Sequence, residues 1–314
     1  MNIVPIRIDG RFRIKEPLGS GTYASVYRAV NIYTNRSYAI KLEFSMEGES
    51  SVEHEYEVLK ELHGGGSIPC AHWFGREANY DALVLDLLGP SLLELIDKHK
   101  NFCIHTVAHL ADQLISHLQY IHTHGYVHGD IKPHNVLMGQ GDQAHTVFII
   151  DFGNTGKYCD PATGNHILFG RARRPTGTPA FTSINSHIGA QLGRRDDVES
   201  LAYLLIFLSC GSLPWLIDNR KNPHGSSILE IKQNTPVEVL CSGLPRELAT
   251  LLTYSRTLLF SEEPDYDYMR LLFLALRSEQ SGSEITNDLS LHERVDGSAS
   301  IEYSLRSADR QRQR

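Results

Sequence analysis

A carboxylate, an ammonium and an amide stand close together in His128-Gly129-Asp130-Ile131-Lys132-Pro133-His134-Asn135-Val136-Leu137, between apolar runs. Asp130 can orient a hydroxyl and accept its proton. Lys132 can offset charge on a moving phosphoryl group, and the amide oxygen of Asn135 is a ligand type suited to Mg²⁺. Sixteen residues after Asn135, Asp151-Phe152-Gly153 follows a short apolar run, and its carboxylate can complete a Mg²⁺ site. Upstream, Gly19-Ser20-Gly21-Thr22-Tyr23-Ala24 has glycines that let a backbone approach a polyphosphate closely. Alone, such a loop is more often a plain turn. Lys41 closes Tyr38-Ala39-Ile40-Lys41, and Glu55 lies on the next helical stretch. An ion pair between them would hold the ammonium against α- and β-phosphate oxygens. The segment from His128 to Leu137 is the strongest of these features, and the ordered set of loop, Lys41, Glu55, Asp130, Asn135 and Asp151 is far harder to obtain by chance than any one of them.

The elements that must position these groups change character along the chain. Residues 11–18, 25–31, 37–44 and 82–88 read as strands, by alternation or by β-branched and aromatic content. Between them, residues 51–63 switch to helical spacing, with Val52, Tyr56, Leu59 and Leu62 on one side and Gly64-Gly65-Gly66 as the stop. Beyond Pro90 helices dominate. Val107, Leu110, Ala111, Leu114, Ile115, Leu118 and Ile121 form one apolar stripe, and residues 198–208 are apolar nearly all round, as in a helix at the centre of a lobe. Residues 147–150 read as a short strand, and 248–259 and 268–276 as further helices. From about residue 277 polar residues take over, which reads as a weakly ordered tail. A small β-rich lobe, a larger α-rich lobe and a tail are therefore expected.

The bulk properties bound the alternatives. The 314 residues are 41% hydrophobic, enough for a two-lobed core, and the formal net charge of −7 argues against a dominant nucleic-acid surface. The five cysteines contain no CxxC pair, so reduced thiols in the cytoplasm or nucleus are expected rather than a disulfide framework or a zinc site. No signal peptide is expected at residues 1–10, and the most apolar run, 201–210, is too short to span a bilayer. His122, His124, His128 and His134 fit no zinc spacing, and Trp73 and Trp215 read as packing residues.

Together the loop, Lys41, Glu55, Asp130, Asn135 and Asp151 are the protein-kinase signature, and the chain resembles the casein kinase I family most. The markers are Ala39-Ile40-Lys41-Leu42-Glu43, Leu87-Leu88-Gly89-Pro90-Ser91-Leu92, Ser183-Ile184-Asn185, Arg194-Arg195-Asp196-Asp197-Val198-Glu199-Ser200, Gly211-Ser212-Leu213-Pro214-Trp215 and Pro264-Asp265-Tyr266-Asp267-Tyr268. The likeness runs from about Phe12 to Arg277. It implies an α+β, two-lobed protein-kinase fold in residues 1–277, with an N-lobe of about 1–88 carrying one main helix and an α-rich C-lobe of about 89–277. The tail would be residues 278–314.

The resemblance implies ATP and Mg²⁺ as cofactors and Ser/Thr residues of proteins as acceptors. Asp130 would be the catalytic base or hydroxyl-orienting group, and Lys132 would steady the γ-phosphate. Asn135 and Asp151 would hold Mg²⁺. Leu18, Gly19, Ser20 and Gly21 would cover the nucleotide, with Lys41 on its phosphates and Glu55 behind. The adenine would lie between Val26 and Ala39 above and Leu137 below, with Leu85 as gatekeeper of a hinge running to Leu88. Asp197 would brace the catalytic loop. A monomer acting on acidic acceptors, without nucleic-acid or membrane partners, is expected.

Three departures bear on control and specificity. Ala24 replaces the third loop glycine. Gly129 replaces the usual arginine before the catalytic aspartate, so control by activation-loop phosphorylation is not expected. Of the basic cluster that in this family is thought to read a phosphate already on the substrate, only Arg173 is cationic here, beside Gly129 and Gly156. Arg171, Arg173, Arg174, Arg194 and Arg195 could form another basic region or be structural charges. A scaffolding pseudokinase of the same fold and a small-molecule kinase are the alternatives. The intact residue set argues against the first, and Ser183-Ile184-Asn185 with the following Arg-Arg-Asp-Asp against the second.

Overall fold

The computed structural model describes residues 5–21, 24–45, 50–172, 177–216 and 227–278. Its first part holds β1 (Arg7–Ile8), β2 (Phe12–Ser20), β3 (Ala24–Asn31), β4 (Ser37–Phe44), α1 (Ser51–Glu61), β5 (Ala71–Glu77) and β6 (Tyr80–Asp86). The strands form one antiparallel sheet in the order β1-β2-β3-β4-β6-β5. Alternation along β4 divides its side chains between two faces. Ile40 and Leu42 join Ile8, Phe12, Ala29, Ala82 and Val84 in a small core on one side. Ala39 and Lys41 therefore face the other way, toward α1 and the second lobe.

Glu43, on the same face as Lys41, fixes the start of α1. Its Oε2 accepts from Ser50 Oγ (3.0 Å), Ser51 Oγ (3.1 Å) and Val52 N (2.9 Å), while Ser50 Oγ accepts from Glu53 N. Two backbone donors at the helix N-terminus are thereby satisfied, and a carboxylate sits at its positive end. One turn further on, this brings Glu55 opposite Lys41.

The second part holds α2 (Leu92–His99), α3 (Ile104–Thr123), β7 (Tyr126–Val127), β8 (Val136–Met138), β9 (Val147–Ile149), β10 (Gly156–Lys157), α4 (Ile184–His187), α5 (Arg194–Cys210), α6 (Ile228–Asn234), α7 (Val237–Leu240), α8 (Arg246–Thr257) and α9 (Tyr266–Ser278). Every residue from Asp196 to Leu208 on α5 is buried, and α3, α8 and α9 pack around the same core. The small antiparallel pairs β8–β9 and β7–β10 sit on this helical body and carry the polar segments identified in the sequence. The architecture is the expected two-lobed α+β arrangement.

Local boundaries differ from the sequence reading in instructive ways. Helix α5 begins at Arg194, before its apolar run, because Asp196 caps it by accepting from Gly193 N at 2.8 Å. β5 was not foreseen because its residues are half-exposed on both faces and do not alternate. The short helices α2, α4, α6 and α7 offer too few turns for a periodic signal. No described helix is long and apolar enough to cross a membrane.

Candidate active site

The cleft between the lobes is closed at its back by three charged side chains. Lys41 Nζ lies 2.6 Å from Glu55 Oε2 on α1 and 2.6 Å from Asp151 Oδ1 after β9. Asp151 has φ +68°, the sharp break between β9 and the single 3₁₀ turn at residues 152–154. Phe152 is fully buried against the His128 ring, and its N–H donates to Glu55 Oε1 at 3.1 Å. His54 adds a second tie from α1, with Nε2 2.7 Å from Thr155 O.

Burial opposes charge on Lys41, but the two carboxylates outweigh it and raise the pKa, so the ammonium is charged. Burial likewise works against Asp151, and Lys41 overrides it to lower that pKa. Burial pushes the Glu55 pKa up, with Lys41 opposing. Since each Glu55 oxygen receives a donor, we read Glu55 as the ionised partner.

Asp130 and Lys132 lie on the loop between β7 and β8. Lys132 Nζ is 2.6 Å from Asp130 Oδ2, and Asn135 Nδ2 donates to Asp130 O (3.0 Å) and Oδ2 (3.2 Å). Thr178, which sequence reasoning missed, completes this group. Its N–H and hydroxyl donate to Asp130 Oδ1 at 2.8 and 2.9 Å, and its hydroxyl accepts from Lys132 at 2.8 Å. Gly177 permits the approach. Its φ is +88°, and a β-carbon there would lie 2.8 Å from both Gly129 O and Thr182 Oγ1.

Of the residues expected around a nucleotide, Leu18, Gly19, Ser20, Gly21, Val26, Ala39 and Leu85 lie in or beside the small-lobe sheet, and Leu137 lies in the second lobe. Gly19 pairs with Val26 and Ser20 with Ser25, while Gly21 N donates to Ala24 O at 2.8 Å. Val26 pairs with Lys41, and Ala39 with Leu85. Leu18 is exposed on β2. Leu88 O accepts from Gln140 Nε2 at 2.7 Å, and Leu137 lies on β8, bridged to Ser91. Thr22, Tyr23, Arg173 and Arg174 lie outside the described residues.

A model of the protein kinase domain matches residues 12–255. The chain belongs to the protein kinase family. Kinase chemistry needs ATP and a divalent cation, and the donor set fits them. The Asn135 amide nitrogen is committed to Asp130, which leaves its oxygen for a hard cation. Asp151 adds a carboxylate whose side chain is 35% exposed, and Lys41 and Lys132 could supply positive charge for phosphates. Mg²⁺ is normally held by one or two protein carboxylates together with phosphate oxygens.

The kinase's catalytic loop is braced from below. Asp197 on α5 accepts from His128 N (2.7 Å) and Gly129 N (2.8 Å), and lies 2.9 Å from His122 Nε2. Burial would raise its pKa, but His122 and these amides outweigh it and lower it. His122 is thus bound to Asp197 and, through Nδ1, to Tyr266 Oη. His128 bonds Ile150 O, and His124 bonds Tyr120 O. Asp196 is the anchor of Ser183-Ile184-Asn185, accepting from Ser183 Oγ (2.7 Å) and Asn185 Nδ2 (3.0 Å). Two arginines of the basic region turn into the fold. Arg194 stacks on Tyr158 and bonds Ser261 O, and Arg195 bonds Leu258 O.

Proposed function

We propose that this protein kinase transfers the γ-phosphoryl group of ATP to Ser and Thr hydroxyls of protein acceptors, in the manner of the casein kinase I family. The observation that carries this reading is the joining of Asp130, Lys132 and Thr178 in one hydrogen-bonded group, with Lys41, Glu55 and Asp151 linked behind it. ATP with Mg²⁺ supplies the transferable group and neutralises its charge. Asp130 orients the acceptor hydroxyl and takes its proton. Lys132, between Asp130 and Thr178, offsets charge on the transferred group. Asn135 and Asp151 would hold the cation, and Lys41, fixed by Glu55, would pair with the nucleotide's phosphates. Leu18, Gly19, Ser20 and Gly21 cover the nucleotide, and Val26, Ala39, Leu85, Leu88 and Leu137 frame the adenine.

The casein kinase I likeness rests on the sequence markers, and the Asp196 contacts give its Ser183-Ile184-Asn185 marker a physical role in seating that segment on α5. Gly129 adopts φ +77°, and Gly156 is exposed with no neighbour within 4 Å of a β-carbon placed on it. Neither residue can bind a phosphate through a side chain. Arg173, the one cationic residue of the three, lies outside the described residues, and a lone arginine in water contributes little binding energy. The preference for acceptors that already carry a phosphate is therefore weaker than the family's.

We take residues 1–277 as the kinase domain and residues 278–314 as a tail whose Ser and Thr residues are candidate autophosphorylation sites. The five free thiols fit a reducing compartment, cytoplasm or nucleus. The kinase acts as a monomer.

Phosphoamino-acid analysis of casein and of the chain itself after incubation with ATP and Mg²⁺ tests the reading. Phosphoserine and phosphothreonine are expected. Nucleotide binding without any transfer would favour the scaffolding pseudokinase instead. Rates on matched peptides with and without an existing phosphate test the specificity, and a strong advantage for the phosphorylated peptide would overturn it.

A further inference from the structure

Lys232, on α6, is fully buried. Its Nζ donates to Pro179 O at 2.9 Å and to Thr182 O at 2.6 Å, and lies 4.6 and 5.1 Å from the ring centroids of Tyr203 and Trp215. No described carboxylate lies within ion-pair distance of it. A buried ammonium is costly, and a methionine of similar length would fill the space at lower desolvation cost. Burial pulls the pKa of Lys232 down to about 7, against the pull of Glu199. Charged or neutral, the amine keeps N–H donors for both carbonyls.

What those carbonyls belong to gives the lysine its meaning. Residues 178–182 begin at Thr178, which touches both Asp130 and Lys132. The segment is held mainly by side chains from elsewhere. Pro179 O also lies 3.0 Å from His187 Nε2, and Ala180 O accepts from Trp215 Nε1 at 2.7 Å. Trp215 and Tyr203 are also the two rings that flank the ammonium. Tyr203 is itself fixed by its hydroxyl on Glu199 Oε1 at 2.7 Å. An unbroken chain of contacts runs from α6 through the Pro179 carbonyl to Thr178 and then to Asp130.

We propose that Lys232 is a positioning residue for phosphoryl transfer, setting the acceptor side of the site by tying down residues 178–182. This rests on the kinase reading above. Lys232 touches neither nucleotide nor acceptor, and its effect is specific to the acceptor end because Lys41, Glu55 and Asp151 are held by other elements.

The test is steady-state kinetics of the full chain, wild type beside Lys232→Met and Lys232→Arg, on a serine peptide with Mg²⁺·ATP. Fluorescent-nucleotide binding and thermal melting are measured on the same samples. For Lys232→Met the expected result is a fall of about tenfold or more in kcat/KM for the peptide, with the KM for ATP and the nucleotide Kd within about twofold of wild type. Lys232→Arg keeps a cationic donor and is expected to recover part of that loss. Peptide kinetics equal to wild type in a folded Lys232→Met overturn the proposal, as does a loss that falls equally on ATP. If Lys232→Met does not fold, Lys232→Arg decides alone. A change confined to the peptide parameters supports the proposal, and unchanged peptide parameters or a change in the KM for ATP overturn it. A wild-type chain that transfers no phosphate removes the kinase reading and this inference with it, an outcome distinct from an active wild type matched by its variants.

Discussion

At the nucleotide end of the cleft, Lys41, Glu55 and Asp151 meet as side-chain charges from β4, α1 and the turn after β9. At the acceptor end, Asp130 and Lys132 come from one loop, and their third partner is a threonine on a segment fastened through its carbonyls by Lys232, Trp215 and His187. The first end couples the two lobes, so it is disturbed by whatever moves one lobe against the other. The second lies wholly within the helical lobe and rests on its core. The charged group around Lys41 therefore depends on the relative placement of the two lobes, and the group around Asp130 does not.

Substitutions at the two ends should separate accordingly. The largest effect on activity is expected for Asp130→Asn. Loss of the group proposed to orient and deprotonate the acceptor should lower kcat by about 10²–10⁴ with nucleotide affinity nearly unchanged; the melting temperature should fall too, because the new amide NH2 faces only donors where Asp130 accepted. A large fall in nucleotide affinity would show that the ends are not separable. Lys41→Met should act in the opposite sense. It leaves buried Glu55 with only the Phe152 N–H as partner and half-exposed Asp151 without its ammonium partner, so up to about 3 kcal/mol of stability should be lost along with ATP affinity, measured by denaturant titration and nucleotide binding. Thr178→Ala removes bonds to a charged carboxylate and an ammonium, each contributing about 1.5–3 kcal/mol. A fall of tenfold to hundredfold in peptide kcat/KM is expected, with the KM for ATP unchanged.

His117, on α3 away from both ends, provides a control that separates loss of stability from loss of a site. Burial lowers its pKa to about 4 from 6.5. Between those values the unfolded chain binds more protons than the folded one, so stability is fully present at neutral pH and is lost as pH falls through this window. His117→Leu should remove this loss, about 3 kcal/mol at most, and flatten the acid side of the stability profile, with neutral-pH kinetics unchanged. An acid profile identical to wild type would show that His117 does not govern that loss.

How far the sequence reading reached follows the same division. Asp130, Lys132 and Asn135 are neighbours in the chain, and Lys41 and Glu55 sit on an adjacent strand and helix. Type and spacing alone therefore suggested that they belong together. Glu43, Thr178 and Lys232 gave no such signal. Thr178 finds Asp130 across many residues, through a close approach that depends on Gly177. Lys232 lies in Ile228–Asn234, a short helix whose composition suits a solvent-facing lysine. Its burial is decided by Tyr203 and Trp215, which arrive from other parts of the chain. The two lobes were legible because alternation and helical periodicity are local. The braces that connect them to the site depend on tertiary contacts and were not.

The central claim is that the chain transfers phosphate, with Asp151 holding the cation. The most direct measurement is Mg²⁺-dependent incorporation of the γ-phosphate of ATP into casein and into the chain itself, for wild type and Asp151→Asn side by side. We expect label on serine and threonine with wild type and none above background with the variant. No incorporation by wild type, or equal incorporation by both, would contradict the account.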